Sequence, residues 1–144
     1  MQTRIERARP EDIDDVLSLL QENHLPTAGL RDHLATALVA RHDGRVVGSA
    51  ALEVYREGAL LRSIAVAPHL HGRGLGRRLT DAAIGLGTEL HVSALYLLTT
   101  TAERYFPKFG FERITRAEVP ASVQTSIEFT SACPSSATVM RKPL

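Results

Sequence analysis

The chain has 144 residues, one domain's worth, enough to bury a core without disulfides or a structural metal. Lys and Arg outnumber Asp and Glu by only 17 to 16, which excludes a generally basic nucleic-acid binder, and a 44% hydrophobic fraction excludes a disordered chain. The lone Cys133 excludes an intramolecular disulfide and fits a reducing, cytoplasmic setting.

Residues 3–8 alternate apolar and charged side chains, which predicts a short strand and not the apolar run of a signal peptide. Arg9-Pro10-Glu11-Asp12 then starts a helix, with Pro in its first turn and acids at its positive end. Ile13, Val16, Leu17 and Leu20 give that helix one buried stripe. Leu25 to Gly29 breaks it, and Leu30 and Leu34 suggest a short second helix. Strands over 37–42 and 45–53 flank an Asp43-Gly44 turn, and a third antiparallel strand, 59–66, stops before Pro68. Leu75, Leu79, Ala82, Ala83 and Leu86 mark the next helix. Residues 94–99 are a dense apolar run that reads as a buried strand, and the intervening helix makes it the parallel neighbour of 59–66.

A further helix is expected from Ala102 to Phe109, stopped by Gly110 at its C′ position. Strands are expected over 111–117 and 136–140, separated by a Ser/Thr-rich excursion through Pro120 and Pro134. The order β-α-α-β-β-β-α-β-α-β-β describes a mixed α/β (α+β) sheet in one domain, residues 1–144. No stretch approaches the roughly 18 apolar residues of a membrane span.

Charge is unevenly spread. Residues 1–57 carry ten acids against seven arginines, whereas residues 58–80 contain no acid and hold Arg62, Arg73, Arg77 and Arg78 with His69 and His71. In that window Gly72, Gly74 and Gly76 sit between a strand and a helix start, so the backbone and the helix's free N–H groups can approach an anion closely. Arg77 and Arg78 oppose the helix dipole, which a phosphorylated ligand would offset. The absence of Gly-Lys-Ser/Thr excludes a nucleoside-triphosphate loop, and Arg77 stands where a dinucleotide fold needs its third glycine. Taken alone, the glycine spacing also fits a plain tight turn.

The run Ile64-Ala-Val66-Ala-Pro68-x-x-His71-Gly72-x-Gly74-x-Gly76 resembles the acetyl-CoA-binding motif of GCN5-related N-acetyltransferases (GNAT). Ala102-x-x-Tyr105-Phe106-Pro-Lys108-Phe-Gly110-Phe111 matches a later segment of the same family, so the resemblance covers almost the whole chain. Within it, Leu25-Pro-Thr-Ala28, Leu60-Leu-Arg-Ser-Ile-Ala-Val66, Leu95-Tyr-Leu-Leu-Thr-Thr-Thr-Ala102 and Glu128-Phe129 with Cys133-Pro-Ser-Ser-Ala137 look most like the short amino-acid N-acetyltransferases associated with arsenic resistance. N-acetylglutamate synthases are a more distant likeness.

The resemblance implies a GNAT fold, acetyl-CoA as co-substrate and no metal. It gives Ile64, Ala65 and Val66 to the pantetheine arm, and His71, Gly72, Arg73, Gly74, Leu75, Gly76 and Arg77 to the pyrophosphate. His71 replaces the usual Arg or Gln. The family's acidic Tyr falls on Phe106, leaving the adjacent Tyr105 as the candidate acid, with direct thiolate departure or water as alternatives.

Acetyl transfer needs a neutral amine, and an α-amino group of pKa about 8 must first lose a proton. Glu53, expected at a strand end, is the first candidate base, directly or through water; a solvated carboxylate is the equal alternative. The Val66 N–H is the expected oxyanion donor. Arg62, mid-strand, needs an anionic partner, either a substrate carboxylate or an internal Glu. Thr27, Ser135 and Ser136 fall where the family builds its acceptor pocket, with loop capping as the alternative.

The expected partner is a small amine, an amino acid or a toxic analogue; nucleic acid and membrane are not expected, and a homodimer fits the family. The competing readings are a peptide or protein N-terminal acetyltransferase and a non-catalytic acyl-CoA-binding module.

Overall fold

The computed structural model describes residues 3–144, and within them seven strands form one mixed sheet. In chain order they are β1 (Arg4–Arg7), β2 (Ala37–His42), β3 (Arg45–Tyr55), β4 (Gly58–Val66), β5 (Ala94–Thr99), β6 (Glu112–Ile114) and β7 (Thr138–Pro143); the α-helices are α1 (Ile13–Glu22) and α2 (Leu75–Glu89). Across the sheet the order is β1-β2-β3-β4-β5-β7-β6, antiparallel except for the β4–β5 pair. The parallel neighbours expected from the crossover are therefore present.

Alternation along β4 and β5 separates two faces. Ala59, Leu61, Leu95 and Leu97 belong to the main core with Val16, Leu20, Leu79 and Leu86 of the two helices. Leu60, Ala94 and Tyr96 face a second cluster with Val119 and Val123, under the segment that links β6 to β7. Gly48 lets α2 lie close on β3: a Cβ there would stand 2.8 Å from Leu79 Cδ1.

Three expected elements are shorter than predicted. Residues 30–36 form 3-10 turns, entered through Gly29 at φ 79° and broken at His33. The helix expected over 102–109 contracts to a 3-10 turn at Phe106–Phe109, because Pro107 brings no N–H to a helical ladder; Gly110, at φ 92°, does end it. The strand expected over 111–117 stops at Ile114, where the Glu118 carboxylate accepts from the Thr115 N–H (2.9 Å) and starts a capped turn. The excursion itself coils into short turns, one of them π-helical over Glu128–Ala132.

The feature that positions the site lies at the centre of the sheet. Parallel pairing of β4 with β5 is confined to Ala59–Leu95 and Leu60–Tyr96. On its other side β4 is bulged: Ala51 pairs with Arg62 and Ser49 with Ala65, so Ser63 and Ile64 together oppose Ala50. Ser63 takes a left-handed conformation, φ 61°, and its carbonyl is held by the Ser49 hydroxyl at 2.7 Å. A bulge bends its strand. The open gap between β4 and β5 begins just before it.

Candidate active site

Two concavities meet on β4 at Ile64. The first is a groove lined by Ile64, Ala65, Val66, His71, Gly72, Gly74, Leu75, Gly76 and Arg77, nine of the ten residues assigned to the cofactor, joined by Asn23 and Tyr105. Arg73 is exposed beside it. Gly72 and Gly74 have φ of 81° and 80°, with no atom within 4 Å of a would-be Cβ, so the loop is open to a ligand and strained for any other residue. Gly74 caps the 15-residue α2 without a side-chain hydrogen bond, and no acid occupies the first turn, so the positive end of the helix faces the groove uncompensated.

The Val66 carbonyl is fixed twice. It accepts from Asn23 Nδ2 at 3.1 Å and lies 2.8 Å from His71 Nε2, which must carry the hydrogen because a carbonyl only accepts. The His71 side chain thus has a structural role, tying the glycine loop to the end of β4. Tyr105 lies across the groove, its hydroxyl 3.8 Å from a would-be Cβ of Gly76. Its neighbour Phe106 instead lines the second concavity, so the one-residue offset in the motif places the phenol on the groove side.

The second concavity, about 330 Å³, fills the gap between β4 and β5. Its walls include Arg62, Ser63, Thr99, Phe106, Glu128 and Cys133. Beneath it lies a buried charge cluster. Arg62 Nη1 donates to Glu53 Oε2 (2.8 Å) and the Ala28 carbonyl (2.7 Å), Nη2 donates to the Pro26 carbonyl (3.0 Å), and Nε donates to Ser63 Oγ (2.9 Å) with Glu128 Oε2 at 3.2 Å. Of the two partners foreseen for Arg62, the structure supplies the internal carboxylate, and supplies it twice.

Glu53 is not at a strand end: β3 continues to Tyr55, and Glu53 is fully buried in it. Burial would raise its carboxyl, but hydrogen bonds from Ser126, Tyr55 and Arg62 outweigh this and hold it below the ordinary carboxylate range. A carboxylate so stabilised is a poor proton acceptor. Tyr55, expected only to fill the core, is pushed up to about 12 by burial and by its bond to Glu53.

Glu128 differs. Burial pushes its carboxyl up, Arg62 offsets part of that, and the Glu53 charge adds to it, so it titrates at about 7. The Cys133 thiol, 3.8 Å from Glu128 Oε1, is pushed up to about 12 by burial and by that carboxyl, so it remains a protonated donor and not a nucleophile.

Thr27 does not line the cavity, although Leu25 and Pro26 beside it do; its carbonyl accepts from the Leu30 N–H at 3.3 Å. Ser135 and Ser136 are not in the cavity either. The turn closed by Ala137 N–H on the Pro134 carbonyl (3.0 Å) carries them outward, to a separate groove with Arg113 and Arg116. Glu128 and Asn23 were missed. The signal for Glu128 was Arg62 itself, a mid-strand cation whose five donors exceed one carboxylate. Among the described residues no group of three or more His, Cys, Asp or Glu is placed to hold a metal, and no helix is long and apolar enough to cross a membrane.

An anion cradle that opens into an adjoining cavity brings two ligands together end to end, the arrangement of a group-transfer site. Residues 33–113 match the acetyltransferase (GNAT) domain, and the chain belongs to that family. It is 30% identical over 131 residues to an amino-acid acetyltransferase of Mycobacterium tuberculosis, covering 83% of this chain and 74% of that protein. It is 28% identical to the amino-acid acetyltransferase of Neisseria meningitidis serogroup A over 81% of this chain, but spans only 29% of that relative's length. In fold it resembles N-acetylglutamate synthase from Neisseria gonorrhoeae complexed with coenzyme A and N-acetyl-glutamate, with a TM-score of 0.84 at 22% identity over 100% of this chain and 35% of that one. A Mycobacterium tuberculosis protein in complex with CoA superposes with a TM-score of 0.81 at 24% identity, over 98% and 99% of the two chains.

Proposed function

We propose that this chain transfers the acetyl group of acetyl-CoA to the amino group of an amino acid or a toxic amino-acid analogue, of the kind met in arsenic resistance. The observation that carries the reading is the junction at Ile64, where a groove built for a pyrophosphate and an extended arm opens into a cavity of amino-acid size. At about 330 Å³ that cavity is at the small end of ligand sites, which supports a small acceptor over a peptide chain.

The residues fit the co-substrate. The amides from His71 to Gly76 would hold the pyrophosphate, aided by the α2 N-terminus and Arg77, while the β4 backbone from Ile64 to Val66 would pair with the pantetheine amides. Bound there, acetyl-CoA supplies an activated acyl carbon. The Val66 N–H would stabilise charge developing on the thioester oxygen, at a strand end held in place by the Asn23 and His71 bonds to the Val66 carbonyl. Tyr105, on the groove wall, is the side chain assigned to protonate the departing sulfur, with water as the alternative. Glu53 is assigned a different role from the one its sequence context suggested: it neutralises and orients Arg62.

The test is thiol release from acetyl-CoA with a panel of amino acids, glutamate and glutamine among them, and of phosphorus- and arsenic-bearing analogues. Turnover on at least one, confirmed as an N-acetyl product by mass spectrometry, is expected. No release on any of them would overturn the reading.

A further inference from the structure

We propose that Glu128 is the proton acceptor for the bound amine. The inference rests on the acetyltransferase reading above and names a residue for the step that Glu53 is unsuited to perform. Glu128 lines the acceptor cavity from the π-helical turn Glu128–Ala132. It is 4% exposed and its Oε2 is 3.2 Å from Arg62 Nε, beside Ser63 Oγ on the same nitrogen. The carboxyl is therefore fixed at the wall next to the bulge, near the point where the cavity joins the groove.

The charge count explains why a cation is wanted there. The groups facing Glu128 are Arg62 from β4, Glu53 from β3, and Cys133 at the end of its own turn, with His24 on the cavity wall, Tyr55 and His33 behind Glu53, and Arg116 on the outer side of the turn, over the Phe129 ring and acting on Cys133. One guanidinium serves two carboxylates, Glu53 takes the closer contact at 2.8 Å, and Cys133 stays neutral. Ionised Glu128 is left with part of its charge uncompensated in a buried position. An entering ammonium supplies the missing charge and, at about 7, the carboxyl is matched to take a proton from an α-ammonium of pKa about 8. The step balances: one N–H proton passes from the ammonium to Glu128 and on to solvent, the nitrogen lone pair forms the C–N bond, and the C–S pair leaves on sulfur. The second N–H proton is equivalent to the one the thiolate takes up.

The experiment is kcat against pH, from 6 to 9.5, for the full chain and for Glu128→Gln and Glu128→Asp, with acetyl-CoA affinity measured on each. Wild-type kcat is expected to rise through about 7 to a plateau. Glu128→Gln is expected to lose about 10²-fold in kcat and to rise without a plateau as hydroxide replaces the base, with acetyl-CoA affinity within twofold. Glu128→Asp should keep the limb at reduced kcat. A Glu128→Gln kcat within threefold of wild type, or the same plateau in both, overturns the role. Should Glu128→Gln not fold, the wild-type profile decides, and a flat kcat from pH 6 to 8.5 overturns it. Silence of the wild type on every amine removes the acetyltransferase reading and this role together, whereas an active wild type with an equally active Glu128→Gln removes this role alone.

Discussion

Arg62, Glu53 and Glu128 show how three buried charges can be divided between stability and chemistry. Glu53 is held low by its donors, so its contribution to folding is present above the ordinary carboxylate range and lost as pH falls through that range to its depressed folded value. Glu128 has the opposite sign. Its carboxyl rises from 4.5 to about 7 on folding, so its contribution is complete below 4.5 and lost as pH climbs through 7, a cost on the order of 3 kcal/mol in alkaline solution. Glu128→Gln should therefore melt at a higher temperature than wild type at pH 8.5 and close to it at pH 5; equal differences at both would contradict the assignment. Arg62→Met strands Glu53 in the core, and a loss of about 3–5 kcal/mol in denaturant unfolding is expected, partly recovered by adding Glu53→Gln. The need for an anion beside Arg62 was legible in the sequence, since a mid-strand guanidinium cannot stay unpaired. Which anion was not, because the Glu128 turn has no hydrophobic period and reaches Arg62 only through the fold.

Secondary structure was legible where a pattern and a breaker agreed. The α1 stripe, the Asp43-Gly44 hairpin and the β4-α2-β5 crossover each combine a period with a turn residue, and each is present. Residues 102–109 failed because Pro107 outweighs an otherwise helical composition, and residues 115–117 failed because Thr115 and Glu118 cap a turn against continuation of the strand. The glycines of the α2 region separate the same way. Gly85 is exposed in the helix with nothing near a would-be Cβ, so Gly85→Ala should stabilise by about 0.8 kcal/mol. Gly74 is equally open but at φ 80°, so Gly74→Ala should cost about 1–2 kcal/mol and weaken acetyl-CoA binding. Thermal melts and calorimetric titration on the two variants distinguish a helix effect from a loop built for its ligand; the same response in both would remove the distinction.

At the scale of the molecule, the site exists because one sheet is joined at one end and parted at the other. β1 to β4 and the β5-β7-β6 unit meet through the two parallel pairs at Ala59 and Leu60, just after Gly58. Gly58 packs directly against β5: a Cβ there would lie 2.8 Å from Tyr96 Cε2 and 3.1 Å from the Ala94 carbonyl, a side chain and a backbone atom of that strand. The ring can turn aside, but the carbonyl moves only with its strand. Gly58→Ala should therefore push β5 from β4 at the closed end, costing about 1–3 kcal/mol and lowering Tm by roughly 3–10 °C for a domain of this size. Because the cavity opens from the same junction, kcat should fall along with Tm. A local clash would leave the cavity intact and kcat unchanged. Tyr96→Leu removes the ring but not the Ala94 carbonyl, so the Gly58→Ala/Tyr96→Leu double variant should recover part of the loss relative to the sum of the single ones. Full additivity, or a Gly58→Ala Tm within 1 °C of wild type, would mean that the join between the halves is not set at Gly58.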